Sequence, residues 1–180
     1  NLKVSALGFA DFVREGIDVS VGKILTVNVP LKIGPQGTVI TVSESAPAVD
    51  TTSTVVSTNV TTETYESLPG RGFDSLIAMA PDARPEAKSG GDQVVGASGA
   101  ENKYIIDGVE VTDIQEGILP AQSRIPKEWV REMQVKSSGV DAQYGGAIGG
   151  VISAVTRSGG NKLHGQVSLF ASLDSLLAGP

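Results

Sequence analysis

Asp107, Glu110 and Asp113 stand in YIIDGVEVTD (residues 104–113), three carboxylates separated by apolar residues. On one face of a hairpin, such a spacing is a candidate for acid or calcium chemistry. The stretch lacks the dense succession of oxygen donors that a calcium loop supplies, so it reads as a solvated face. The Asp107-Gly108 pair between two β-branched runs marks a tight turn, because both residue types tolerate positive φ. His164 is the one histidine, beside Gly165, and no serine-centred elbow accompanies it. A hydrolytic triad needs nucleophile, base and orienting group within mutual reach, and the chain offers no such set. Gly145, Gly146, Gly149 and Gly150 form GGAIGG, but no strand-loop-helix frame surrounds them and no Gly-Lys-Ser/Thr follows. They read as places where backbones pass closely or take positive φ, with Gly145 and Gly149 at a Gly-x-x-x-Gly spacing that lacks its helix. No catalytic, metal or cofactor constellation emerges, so the chain reads as a non-enzyme without a cofactor.

Composition narrows the classes further. A net charge of -6 over 180 residues, with a pI near 4.8 and no basic patch, argues against nucleic acid as a partner. The absence of cysteine excludes disulfides, thiolate zinc sites and cysteine nucleophiles. Apolar runs all end well before the ~18 residues that a membrane helix requires. With 22 glycines and 9 prolines, many turns and little long helix are expected. The start at Asn1, without methionine or leader, suggests a processed or truncated product.

The elements that must position these residues follow from periodicity. Residues 19–33 alternate, with Val19, Val21, Leu25, Val27, Val29, Leu31 and Ile33 on one parity, which predicts a half-buried strand. Leu2, Val4 and Ala6 repeat the pattern, so the first third reads as two or three strands of a small sheet or partial β-sandwich. A Thr/Ser/Val/Pro-rich stretch follows and reads as a linker. Within it TVITV (residues 38–42) has strand content but breaker-rich flanks, and suits edge pairing or pairing with another protein. Phe73, Leu76, Ile77 and Ala80 stand at i, i+3, i+4 and i+7, predicting a short helix that stops at Pro81. Residues 81–102 and 114–125 read as irregular. Pro126 suits a helix N1 position, leading through Trp129, read as a core anchor, into a strand at residues 132–136. The remainder predicts two strands about a turn at residues 158–161. The fold class expected is α+β: a small mixed or antiparallel sheet with short helices, preceded by the partial sandwich.

In order and spacing, LPGRGFDSLIAMAPDA, YIIDGVEVTD and IPKEWVREMQVKSSGVDAQYGGAIGGVISAVTRSGG resemble the plug domain of TonB-dependent outer-membrane receptors. GFADFVREGIDVSVGKILTVNVPLKIG resembles the end of the carboxypeptidase-regulatory-like β-sandwich found in the Oar-like branch of that family. The resemblance implies four regions: sandwich strands over residues 1–34, a linker over 35–61, the plug over 62–160 and the first barrel strand over 161–180. It implies a TonB-box-like segment at Thr38, Val39, Ile40, Thr41, Val42 and Ser43 that binds a TonB-type energy transducer. It also implies a surrounding β-barrel, an outer-membrane location with the N-terminal part in the periplasm, and gating of energy-coupled uptake of an extracellular ligand. Asp107, Gly108, Tyr144, Gly145, Gly149 and Gly150 are then plug turn and close-packing positions. Within the two irregular stretches, residues 84–99 and 114–124 become candidate ligand-facing loops, with Arg84, Asp92, Gln93, Gln115, Glu116 and Arg124 as their polar groups. A competing reading is a β-rich structural subunit that assembles through exposed strand edges.

Overall fold

Period-two apolar patterns broken by turns give short strands, and this computed structural model describes residues 1–17, 19–34, 39–42, 54–65, 72–88, 90–163, 165 and 167. β1 (Leu2–Val4) pairs antiparallel with β2 (Asp11–Arg14), and β3 (Val39–Val42) lies parallel to β2 at the edge of this N-terminal sheet. Next come β4 (Val56–Thr61), the single-turn helices α1 (Thr62–Tyr65) and α2 (Asp74–Ile77), and the β5 (Ala83–Pro85) and β6 (Asp92–Val94) pair. A hairpin of β7 (Lys103–Ile106) and β8 (Val109–Glu110) precedes the long β9 (Val130–Ser138) and β10 (Val151–Thr156). The central sheet has the order β4-β9-β10-β7-β8 and is antiparallel except where β10 meets β7. The architecture is α+β, with small sheets and few short helices.

Register gives the central sheet two unlike faces. Val60 faces Met133, Met133 faces Ala154 and Ala154 faces Ile106; one step along, Val135 faces Ile152 and Ile152 faces Tyr104. These share one core with Tyr65, Phe73, Leu76 and Ile77 from the helices. A one-turn helix has no stability of its own, so α2 persists because its Leu76 and Ile77, with Phe73 at its N-cap, are buried, each stabilising by roughly 2 kcal/mol. The intervening positions carry Ser57, Asn59, Glu132, Gln134, Lys136 and Ser153. A period of two sends them to the opposite face together with Val151, Val155 and Ile105, so that face is polar across β4 and β9 and mixed across β10 and β7.

Several expectations are corrected. Residues 19–33 hold no strand among the described residues, only an isolated bridge between Phe9 and Ile33, and Val19, Ile24 and Ile33 are exposed. The alternation survives as burial, with Val21, Leu25, Val27, Val29 and Leu31 half-buried and Thr26, Asn28 and Lys32 exposed, but no ladder forms along the segment among the described residues. Trp129 is 63% exposed and anchors no core. It closes a 3-10 turn after Pro126, and the inward position falls instead to Val130, the first residue of β9. Residues 81–102 contain the β5–β6 pair and a 3-10 turn at Gly99–Glu101, capped by Ser98 and Glu101 reciprocally. Three-residue strands are too short to show a period. β4 is drawn from the segment expected to be linker, because Val60 completes the core opposite Met133. Leu163, Gly165 and Val167 hold no strand and are exposed, whereas His164 and residues 168–180 lie outside the described residues.

Candidate functional site

The three carboxylates of residues 104–113 do not converge. Asp107 and Gly108 have φ of 50° and 82°, so both central residues of the hairpin turn are left-handed. The Asp107 carboxylate accepts from the Thr156 amide at 2.8 Å and from its hydroxyl at 2.7 Å, while the Asp107 amide donates to Ala154 O at 2.9 Å. It therefore fastens the hairpin tip to the end of β10. Glu110 pairs with Lys103 at 3.1 Å, and Asp113 Oδ1 accepts from the Gln115 and Glu116 amides at 2.7 and 2.9 Å. Among the described residues, no group of three metal-capable side chains occurs.

The glycine cluster is a crossing point rather than a cradle. A Cβ on Gly150 would lie 2.7 Å from Val94 Cγ1 and 2.9 Å from Lys136 O, and one on Gly149 would fall on Asn102 Oδ1. Asn102 is the residue that sequence reasoning missed. Buried, it accepts from the Gly150 amide at 2.8 Å and donates to Asp92 O at 2.5 Å, tying β6 to the start of β10. Nothing at Asn102 distinguishes it locally; only the fold brings its partners, 10 and 48 residues away, together. Gly145 is different, since its Cβ would meet only Ala142 O at 3.7 Å, so close packing does not require glycine there. Tyr144 is half-buried, with Lys136 Nζ 4.7 Å from its ring centroid.

The six polar groups named for the loops sit in different settings. Arg84 and Gln93 are paired residues of the β5–β6 ladder, and Gln115 and Glu116 are exposed on the Asp113 turn. Arg124 reaches Asp74 Oδ2 at 3.1 Å and Gly90 O at 3.3 Å, joining α2 to the loop before β6. Asp92 is only 3% exposed, so it is corrected from a ligand-facing position to a buried one. Burial first, and then the charge of Asp74, push its carboxyl up to about 6, with Arg124 opposing. Among the TonB-box-like residues, Val39, Ile40, Thr41 and Val42 form β3, paired with Asp11, Phe12, Val13 and Arg14; Thr38 and Ser43 lie outside the described residues.

This arrangement holds loops and edges on a scaffold. No family model matches the chain. A curated relative, the TonB-dependent transporter Oar of Myxococcus xanthus, is 31% identical over 169 residues, which cover 88% of this chain and 16% of that protein. The ferric enterobactin receptor mutant R480A_Q482A from Pseudomonas aeruginosa shares the fold at TM-score 0.50 and 20% identity, over 58% of this chain and 17% of that one. The siderophore receptor PirA from Acinetobacter baumannii matches at TM-score 0.48 and 19% identity, over 59% and 18% of the two chains. The fold and the kinship together define a plug region of the TonB-dependent receptor class. Within that class the chain's sequence kinship lies with the Oar-like branch. It spans about a sixth of the length of that relative. Kinship with a transporter does not favour the assembly-subunit reading.

Proposed function

We propose that the chain gates energy-coupled uptake of a ligand across the outer membrane, as the plug inside a β-barrel of the same receptor. The observation that carries this is 31% identity along 88% of the chain to a TonB-dependent transporter. The plug unit runs from β4 to residue 160, with the N-terminal sheet on its periplasmic side and residues 161–180 leading into the barrel. A central sheet whose second face is polar across β4 and β9 suits a hydrated lumen better than lipid. The loops around Arg84, Gln93, Gln115, Glu116 and Arg124 contribute to ligand contact.

The partner of residues 38–43 is a TonB-type energy transducer. β3 lies at a sheet edge, and its neighbour on one side is β2. An extended β-branched segment at an edge can pair with a partner's strand through main-chain bonds that demand little side-chain specificity. Replacing Val42 with proline in the full-length receptor removes a main-chain donor. Uptake is expected to fall to background while ligand binding persists; unaltered uptake refutes the assignment.

A further inference from the structure

The polar face of the central sheet is not bare. The turn from Ser20 to Lys23, closed by the Lys23 amide on Ser20 O at 3.3 Å, sits against it. The Val21 amide donates to Glu132 Oε2 at 3.1 Å, and Asn59 Nδ2 donates to Glu132 Oε1 at 2.7 Å and to Val21 O at 3.5 Å. Behind this pair, Gln134 Nε2 donates to Asn59 Oδ1 at 3.1 Å and to Ser57 Oγ at 3.3 Å. Gly22 has φ of 67°, and a Cβ there would overlap Gln134 Oε1. A side chain at residue 22 is thus excluded both by conformation and by space. Gln134 Oε1 is enclosed and accepts no hydrogen bond among the described residues.

We propose that Ser57, Asn59, Glu132 and Gln134 form a docking face for the chain's own Val21–Gly22 turn, and that this contact is a releasable latch between N-terminal sheet and plug. Two features make it releasable. The gain is a pair of main-chain bonds to half-buried side chains, and the cost is one buried amide oxygen left unpaired, which water satisfies once the turn lifts away. These are of the same order, so docked and released states are nearly balanced. The proposal does not depend on the transport reading, and it stands or falls on its own measurement.

Amide hydrogen exchange on the full 180-residue chain tests it. In the parent, the Val21 amide exchanges about tenfold more slowly than in an unstructured peptide, and far faster than the Met133 and Val135 amides of β9. Gly22→Ala and Glu132→Gln each return Val21 to the unstructured rate while Met133 and Val135 keep theirs. Glu132→Gln does so because an amide cannot present two acceptors to Val21 and Asn59. Gly22 lies outside every strand of the plug, so its variant decides the matter if Glu132→Gln misfolds. Four results overturn the latch: an unprotected Val21 in the parent, protection equal to Met133, protection that survives Gly22→Ala, or a rise at Met133 in step with Val21.

Discussion

Replacing Asp92 with asparagine keeps the side-chain shape on β6 and deletes a charge from a site that is 3% exposed. The parent carboxyl is raised from 3.8 to about 6, so the folded chain holds its proton at pH values where the unfolded chain has released it. Stability from this group is therefore fully present below about pH 4 and is lost as pH climbs through about 6. Two units at ~1.4 kcal/mol each set a ceiling of about 3 kcal/mol. Asp74 and Arg124, the charges facing Asp92, are 44% and 38% exposed, so solvent screens part of the effect. About 1–2 kcal/mol is the expected size. Urea unfolding of parent and Asp92→Asn at pH 4, 6 and 8 measures it. The two proteins should be equally stable at pH 4, with the variant ahead by about 1–2 kcal/mol at pH 8. A variant less stable than the parent at pH 8, or a difference that ignores pH, refutes the reasoning.

Two further outcomes follow from the hairpin and the glycine crossing. Asp107→Ala removes both bonds to Thr156 and places a Cβ-bearing residue with no compensating contact at φ of 50°. It should cost about 2 kcal/mol in chemical denaturation and expose the Thr156 amide to exchange. Gly150→Ala forces a methyl against Val94 and the Lys136 carbonyl and should cost about 3 kcal/mol or more, whereas Gly145→Ala, in ordinary contact, should stay within about 0.5 kcal/mol of the parent. Equal thermal midpoints for the two alanine variants would contradict the crossing.

The elements legible in the sequence share a short range. The Asp107-Gly108 turn depends on two adjacent residues, and the α2 face on Phe73, Leu76, Ile77 and Ala80 within two turns. β9 and β10 combine strand-forming residues with glycine boundaries, and those signals are also local. Failures came where pairing or burial depended on distant segments. Residues 19–33 alternate as cleanly as any strand in the chain, and Val21, Leu25, Val27, Val29 and Leu31 are half-buried, yet among the described residues no ladder pairs with them and no strand forms there. Trp129 reads as a core residue by type and is placed outside by register.

The sequence by itself determined where the chain turns and which short runs extend or coil, because φ preferences and side-chain periods act over a few residues. It also carried the ordered motifs on which kinship with TonB-dependent receptors rests. Tertiary structure alone decided that Asp92 lies buried while Glu116 stays in solvent, that Asn102 binds Gly150, and that Val21 docks on Glu132. Those outcomes depend on which segments, often tens of residues apart, come to share the same few ångströms. No local propensity encodes that choice.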